Sequence, residues 1–176
     1  MKKVLSTLLV MLACVASVNA QQVITPQTLD DLPLDEIFKL VDNSISSEDL
    51  LKAQNYKYVG EYSAGRGAQA TWCRNCTCNK RGDVLSFQKG TSSIICLWEE
   101  MGDGGATLAL EVFNTNARDA VLDALRGMGF NEDSGNATNK SFSRESETWG
   151  QIANMQKSKK GWLFTIWPVA ADTEEY

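Results

Sequence analysis

Short β-forming runs divided by short turns constrain the fold of this chain more than any other feature. After Tyr56, five runs are rich in β-branched and aromatic residues, and breaks that contain glycine separate them. These runs are 58–62, 70–78, 83–88, 93–99 and 107–113. Connections this short favour antiparallel neighbours, because a parallel crossover needs a dozen or more residues. The sequence therefore predicts an antiparallel meander.

Helical patterns precede and follow these runs. Apolar residues recur at helical spacing over 33–42, and a short second helix ends near Asn55. The strongest helical pattern spans 116–128, with Asn116 as its predicted N-cap and Gly129 as its stop. More short strands are predicted near 139–143, 149–156 and 162–167. The pattern predicts an α+β fold, a twisted antiparallel sheet with helices on one face and the other face partly open.

The first 20 residues have the three-part build of a secretory signal peptide. Lys2 and Lys3 precede an apolar run over 4–15, and small residues follow at the predicted cleavage site. The apolar run is too short to span a membrane as a mature helix. A lipid anchor at Cys14 is the alternative, because 11–14 loosely resembles a lipoprotein processing site. We therefore predict an exported protein, periplasmic or extracellular.

One domain is predicted behind this leader. The organisation is a signal peptide over 1–20, a flexible leader over 21–32, a domain over 33–170 and an acidic tail over 171–176. Cleavage removes two lysines and no acid, so the net charge changes from −5 to −7. The remaining length is enough for one core. The acidic balance argues against nucleic acid as a partner, and no other apolar run is long enough to form a transmembrane segment.

Two pairs of segments resemble each other within the chain. Residues 49–56 align on 123–130, with an acid, a leucine, a base and a final aromatic residue in common. The strand runs 94–98 and 163–167 share the order of their apolar positions and a closing tryptophan. One interpretation is an internal duplication, two tandem helix-plus-β-meander repeats over 46–113 and 116–168. The other is a pair of chance matches of a kind that any α+β chain offers.

Four cysteines remain after cleavage: Cys73, Cys76, Cys78 and Cys96. In an exported chain an even number of cysteines indicates disulfides, and four allow three pairings. Cys76 and Cys78 are two apart and point to the same face of a strand, which makes a bond between them awkward. We prefer Cys73 with Cys76 and Cys78 with Cys96. The alternatives pair Cys96 with Cys73 or with Cys76.

Other uses of these sulfurs stay open. The segment 72–76 resembles the Trp-Cys-x-x-Cys centre of thioredoxin-like oxidoreductases, and the resemblance implies Cys73 as an attacking thiolate. That family places the pair at the start of a helix, whereas a turn follows here. The spacing Cys-x2-Cys-x-Cys with Cys96 also offers four thiolates for zinc, although an oxidising compartment competes for them. Free buried cysteines are a third alternative, and no metal or cofactor is predicted.

The chain contains no histidine. This absence removes Ser-His-Asp and Cys-His nucleophilic sites and the commonest general acid or base. Paired carboxylates remain available for glycoside hydrolysis. The candidates are Glu99, Glu100, Asp103, Glu111, Glu145 and Glu147. Each is more typical of a solvated strand edge or turn, so no catalytic residue is predicted.

Aromatic and basic side chains are the candidates for binding. The chain has five tryptophans, and exposed aromatic side chains provide rigid contact area for a sugar or a peptide. Core packing is the alternative role for each of them. Arginines of the first hairpins form a local basic rim on an acidic protein. The predicted binding residues are Trp72, Trp98, Trp162, Trp167, Arg66, Arg74 and Arg81.

These observations predict an exported, non-catalytic domain that is stabilised by disulfides. We expect it to bind a protein or a small ligand on the open face of its sheet, because active-site constellations are missing from the sequence. The alternative is an enzyme, either a thiol-disulfide redox protein that uses Cys73 and Cys76 or a carboxylate-dependent hydrolase.

Overall fold

The structure is a computed structural model that describes residues 34, 37, 40, 47–65, 67–88, 91–100, 106–145 and 149–170. The predicted signal peptide, leader and acidic tail lie outside the described residues. Of the predicted 33–42 helix, only Leu34, Ile37 and Leu40 are described, and these three are helical and buried in the main core. Their three-residue spacing is that of one helix face.

Two helices and ten strands have their bounds in the described part of the chain. The helices are α1 (Ser47–Ala53) and α2 (Thr115–Gly127). The strands are β1 (Lys57–Ala64), β2 (Gly67–Arg74), β3 (Cys76–Cys78), β4 (Val84–Phe87), β5 (Ser93–Glu100), β6 (Ala106–Val112), β7 (Asn131–Gly135), β8 (Asn139–Glu145), β9 (Trp149–Lys157) and β10 (Trp162–Ala170). Neither α1 nor α2 has the length and apolar character that a membrane span requires.

The strands form one large sheet and one small sheet. Eight strands lie in the order β1-β2-β5-β6-β10-β9-β8-β7, and β3 pairs with β4 in a two-stranded sheet. Every pair is antiparallel, which confirms the predicted arrangement. The described part is largely strand with two helices, so the α+β prediction overstates its helical share.

One predicted strand is divided in the structure, one strand is not predicted at all, and β10 continues three residues beyond its predicted end at 167. The predicted 70–78 strand is divided into β2 and β3 at Asn75, whose φ of 50° lies in the left-handed region that asparagine tolerates. The sequence does not predict β7, because Asn131–Gly135 has no apolar alternation and all its residues are exposed. Pairing with β8 holds β7 in the sheet, and Lys140 of β8 donates a hydrogen bond to Glu132.

Helix α2 begins two residues earlier than predicted. The Oδ1 atom of Asn114 accepts a hydrogen bond from the Ala117 amide at 2.6 Å, so Asn114 is the N-cap. The prediction of Asn116 as the cap is wrong, because Thr115 is already helical and Asn116 lies in the first turn. The two asparagines have the same capping chemistry, and the path of the backbone decides between them.

A left-handed residue ends α2 as the sequence predicts. Gly129 has a φ of 87°, and its amide donates to the Arg126 carbonyl at 3.0 Å. The Phe130 amide donates to the Leu125 carbonyl, also at 3.0 Å. These two bonds satisfy carbonyls that the last turn leaves without partners, and both Phe130 and Leu125 are buried in the core.

Helix α1 ends with the same pattern. Asn55 has a φ of 62° and its amide donates to Lys52, while the Tyr56 amide donates to Leu51 at 2.9 Å. The Tyr56 hydroxyl is hydrogen-bonded to Ser93 of β5 at 2.6 Å, and burial raises its pKa above the usual range. Each stop leads the chain into an edge strand of the large sheet, β1 after α1 and β7 after α2.

One face of the large sheet forms the main core with the helices. One row across the sheet consists of Trp72, Ile95, Leu110, Phe164 and Met155, each opposite the next. Helix α2 contributes its buried residues Ala117, Val121, Leu122 and Leu125 to the same core. Burying one large apolar side chain stabilises the fold by about 1.5–3 kcal/mol. The helix side of the sheet is therefore the side that stabilises the fold.

The β3–β4 hairpin covers part of the opposite face. Phe87 stacks on Phe113 with 4.6 Å between the ring centroids, and Val84 belongs to a second buried cluster. A Cβ atom at Gly82 would lie 2.8 Å from the Sγ atom of Cys96, so the turn before β4 packs directly on β5. The hairpin therefore lies over the side of this face that β2 and β5 form.

Candidate functional site

The centre of the face opposite the helices carries uncharged, half-buried side chains. Leu97, Leu108 and Ile166 form a row that points into the core. Successive residues of a strand point to opposite faces, so the neighbours of this row point away from the core. We use the name open face for the half-buried residues Trp98, Thr107, Ala109, Ile152, Asn154, Thr165 and Trp167. None of these seven residues carries a charge. Glu111, two residues beyond Ala109 on β6, is half-buried on the same side of the sheet and borders this group.

The two tryptophans of the open face flank one strand. Trp98 of β5 lies opposite Thr107 of β6. Trp167 lies on β10, which borders β6 on the other side, and Ile152 lies opposite Trp167 on β9. Adjacent strands are about 4.8 Å apart, so about 10 Å separates the backbones of the two tryptophans. The open face therefore presents two indole rings across the middle of the sheet.

Trp98 packs directly on the backbone of Gly67. A Cβ atom at Gly67 would lie 2.6 Å from Cζ2 of Trp98 and 2.7 Å from the carbonyl oxygen of Glu99. No side chain fits between the indole and β2 at this point. In the sequence, Gly67 reads only as part of a turn, so the contact has no sequence signal.

The predicted tryptophans do not line one platform. Trp98 and Trp167 lie on the open face, whereas Trp72 and Trp162 are only 4% and 7% exposed and belong to the main core. The prediction for Trp72 and Trp162 needs correction, because strand alternation turns them towards the helices. The sequence does not show which side of a strand faces the helices, and this orientation decides the role of each tryptophan.

The predicted basic rim is not one cluster either. Arg74 is 2% exposed, so it lies inside the protein and not on its surface. The Arg81 guanidinium lies 4.7 Å from the ring centroid of Tyr62, an arrangement typical of a cation–π contact. Arg66 lies outside the described residues. The prediction of Arg74 as a surface binding residue is therefore corrected by its burial.

The four predicted disulfide cysteines belong to one cluster: Cys73 and Cys78 are buried in it, and Cys76 and Cys96 pack against it. The Cys73 thiol donates to the Cys76 carbonyl at 3.3 Å and also interacts with the thiols of Cys76 and Cys78. The Cys96 thiol lies 3.7 Å from the Thr71 hydroxyl. All four cysteines are free thiols, so the disulfide pairing stays a prediction. Cys73 is the neighbour that Cys76 and Cys78 share.

Burial makes the thiols of Cys76, Cys78 and Cys96 weak acids. It raises the pKa of Cys76 and of Cys78 to about 12, and the neighbouring Cys73 adds to both shifts. Burial also raises the pKa of Cys96, against the opposing effect of its hydrogen bond with Thr71. A thiol of this kind holds almost no thiolate at neutral pH, whereas a redox centre needs a thiolate.

The described carboxylate candidates do not form a catalytic pair. Glu111 lies opposite Ile94, five residues along β5 from Glu99, which corresponds to roughly 16 Å. Glycosidase carboxyl groups are about 5 to 9.5 Å apart. Glu111 also accepts a hydrogen bond from the Ser158 hydroxyl at 2.6 Å. Glu145 is exposed, and the side chains of the other three candidates lie outside the described residues.

A cleft on the helix side has no counterpart in the sequence predictions. It lies between α2 and the β7–β8 hairpin and has a volume of about 420 Å³. Its lining residues are Arg118, Asp119, Leu122, Asp123, Arg126, Ala137, Lys140 and Met155. The five residues from α2 share one side of the helix, and this spacing is the only sequence signal that points to the cleft.

Within the described ranges, no group of three or more cysteine and acidic side chains is arranged to hold a metal ion. Comparison with protein families, with curated proteins and with solved structures gives no match to this chain. The open face, the thiols and the cleft are the features of the described residues that bear on function.

Proposed function

We propose that this chain is an exported, non-catalytic binding domain that holds a protein partner against its open face. The observation that carries the proposal is the composition of this face, seven half-buried side chains with two tryptophans and no charge. Protein interface cores are enriched in aromatic residues and depleted of charged ones. An antiparallel sheet face that meets only water is normally polar.

The chemistry of the open face limits which kinds of partner can bind to it. Trp98 and Trp167 offer rigid apolar area, and such residues dominate binding energy at interfaces. Thr107, Asn154 and Thr165 offer hydroxyl and amide groups beside them. The seven residues offer no charge to a charged ligand, and Glu111 at their border already accepts a hydrogen bond from Ser158. The net charge of −5 disfavours nucleic acid. The partner that fits is an apolar protein surface with scattered uncharged polar groups.

Three observations favour binding over catalysis. The chain has no histidine to act as a general base. The raised pKa values of Cys76 and Cys78 disfavour a thiolate at these two positions, and Cys73 is buried with its thiol hydrogen-bonded to the Cys76 carbonyl. Glu99 and Glu111 are too far apart to act together on a glycosidic bond.

Export and disulfides belong to the same proposal. The build of residues 1–20 supports secretion, where disulfides persist. Cys73 has two neighbouring thiols, so oxidation joins it to Cys76 or to Cys78. In this reaction a sulfur–sulfur bond forms, and the two thiols lose two protons and two electrons to an oxidant in the compartment that receives exported proteins. Either bond would tie β3 to β2 and hold the hairpin against the sheet.

An internal duplication over 46–113 and 116–168 completes the proposal. The identical stops of α1 and α2 support it, as does the four-strand meander that follows each helix in the large sheet. The strand part of the sequence alignment does not support it. Residues 94–98 lie on β5, the third large-sheet strand of the first meander, whereas 163–167 lie on β10, the fourth of the second.

Position-specific photo-crosslinking in the producing cells tests the proposed function. A benzophenone amino acid replaces Thr107 or Asn154 on the open face, and Lys52, an exposed residue of α1, is the matched control position. We expect one discrete protein adduct from positions 107 and 154 and none from position 52. Trp167→Ala should remove the adduct from position 154, because it removes a central indole of the face.

Two results would contradict the proposed function. Adducts of equal yield from position 52 would show that the open face has no preference for a partner. An adduct formed by two copies of this chain would replace the partner with a homodimer. Circular dichroism of each variant checks that the fold is retained, since Thr107, Asn154 and Trp167 are only half-buried.

A further inference from the structure

The cleft beside α2 has an apolar floor and charged walls. Met155 of β9 is fully buried and Leu122 of α2 is 6% exposed, so these two side chains form the floor. Ala137, in the loop between β7 and β8, overhangs the cleft on the side away from α2. The volume of about 420 Å³ lies in the range of sites that bind small molecules.

Three cations and their acidic partners form the walls. Arg118 pairs with Asp119, and Arg126 pairs with Asp123 at 2.9 Å. Lys140 pairs with Glu132, which also lies 3.7 Å from Arg126, and the hydrogen bond from Lys140 holds the pKa of this carboxyl below its usual range. The described ion pairs around the cleft therefore leave it nearly neutral on balance.

Two cations of the cleft are less exposed than the acids with which they pair. Arg118 is 21% exposed against 51% for Asp119, and Lys140 is 20% exposed against 34% for Glu132. Arg126 is half exposed and is more exposed than Glu132. Lys140 stands opposite Met155 in the β8–β9 register, which places its stem beside the floor. Arg118 and Lys140 are thus the least exposed charged side chains of these ion pairs, and they line the cleft together with Asp119 and Asp123.

We propose that this cleft binds a small amphiphilic anion, with its carboxylate between Arg118 and Lys140 and its apolar body on Leu122 and Met155. The acid of each pair is the more exposed partner, so Arg118 and Lys140 can exchange Asp119 and Glu132 for the carboxylate of the ligand. Arg118 keeps its contact with the Trp162 ring, whose centroid lies 4.7 Å from the guanidinium. A carboxylate in a partly apolar cleft forms stronger hydrogen bonds than one in water. This site lies on the helix side of the sheet and is independent of the open face.

Titration of the full mature chain with sodium octanoate, below its micellar concentration, tests the proposal. Amide chemical shifts in a ¹⁵N spectrum report where the probe binds. We expect saturable shifts for residues around the cleft and none on the open face. Octylammonium chloride and sodium acetate should each bind at least tenfold more weakly, because the first lacks the anion and the second lacks the apolar body.

Three variants and one control test separately whether the cations and the open volume of the cleft are needed for binding. Lys140→Gln and Arg118→Gln should each weaken octanoate binding about fivefold or more, whereas Lys52→Gln removes a similarly ion-paired lysine elsewhere and should change nothing. Ala137→Trp fills the cleft from an exposed loop position, leaves every charge in place and should abolish the shifts.

Several outcomes would overturn the proposal. Equal binding of octylammonium would show that the cations do not select the ligand, and equal binding of acetate would show that the floor does not contribute. Shifts confined to the open face, or the absence of saturable shifts, would place no site in the cleft. Unchanged binding by the folded Ala137→Trp variant would have the same consequence. Photo-crosslinking at positions 107 and 154 is unaffected by any of these results.

Discussion

Replacement of Gly67 by alanine should strain the contact that holds Trp98 on the open face. The added Cβ atom would lie 2.6 Å from Cζ2 and 2.7 Å from Cε2 of the indole, where carbon atoms normally keep about 3.5–4.0 Å apart. The ring must therefore move by about 1 Å. The carbonyl oxygen of Glu99, at 2.7 Å, is backbone and has less freedom to move.

The expected cost follows from two opposing effects. Overpacking a well-packed site costs about 1–3 kcal/mol. Alanine also restricts the unfolded chain, which stabilises the folded state by about 0.4–1 kcal/mol. We therefore expect Gly67→Ala to lower the free energy of unfolding by about 0.5–2 kcal/mol, measured by urea denaturation followed by circular dichroism.

A double-mutant cycle assigns this cost to the indole. In a Trp98→Ala background the ring contact is gone and only the Glu99 carbonyl contact remains, so the cost of Gly67→Ala should fall by at least about 0.5 kcal/mol. Gly127→Ala is the matched control, because its Cβ atom would meet nothing within 4 Å and alanine favours the helix by about 0.5–1 kcal/mol. If Gly67→Ala stabilised the protein as Gly127→Ala does, or cost the same with and without Trp98, the packing argument would be refuted.

Two more predictions concern the helix cap and the thiols. Asn114→Ala should lower the free energy of unfolding by about 1 kcal/mol, because it removes the hydrogen bond to the Ala117 amide, while Asn116→Ala should change it little. Equal effects would contradict the assignment of the cap. In the reduced protein the folded-state pKa of Cys76 and Cys78 is about 12 against 9 for a free thiol. The folded state therefore keeps protons that the unfolded chain releases, so stability should be full below pH 9 and decrease as the pH rises towards 12. Thermal unfolding against pH should show this decrease, and the decrease should be smaller in a variant with serine at both positions, where Tyr56 and Cys96, whose pKa values burial also raises, still contribute. A decrease of the same size in that variant would contradict the prediction.

The sequence predicts the antiparallel sheet because its strands repeat one simple pattern. Val112, Leu110 and Leu108 alternate with half-buried residues along β6, which is the period of a strand with one buried face. The breaks between the strands are short and contain glycine, so they favour antiparallel pairing, because a parallel pair needs a much longer connection. Gly129 is predictable for a similar reason, because a left-handed helix stop favours glycine.

Other features depend on contacts between distant parts of the chain. Nothing in Asn131–Gly135 indicates a strand, and β7 exists because β8 offers it an edge to pair with. The choice between Asn114 and Asn116 depends on where the chain leaves β6. Likewise, Trp98 and Trp162 both belong to strands. Trp98 is half-buried because it points away from the helices, whereas Trp162 lies in the core because it points towards them.

The β3–β4 hairpin explains why the open face lies to one side of the sheet. It is inserted between β2 and β5 in the first meander, whereas β8 is followed directly by β9 in the second. The insertion covers Cys73 and Cys96 and leaves Trp98 and Trp167 beyond its border.

The hairpin also carries two exposed apolar side chains, Leu85 at 70% and Phe87 at 38% exposure, on the same side of the sheet as the open face. Under the proposed function, a partner that docks on Trp98 would also contact the side of the hairpin. A disulfide between Cys73 and Cys76 or Cys78 would hold the hairpin in this position. The predicted crosslink would therefore increase the affinity for the partner as well as the stability of the fold.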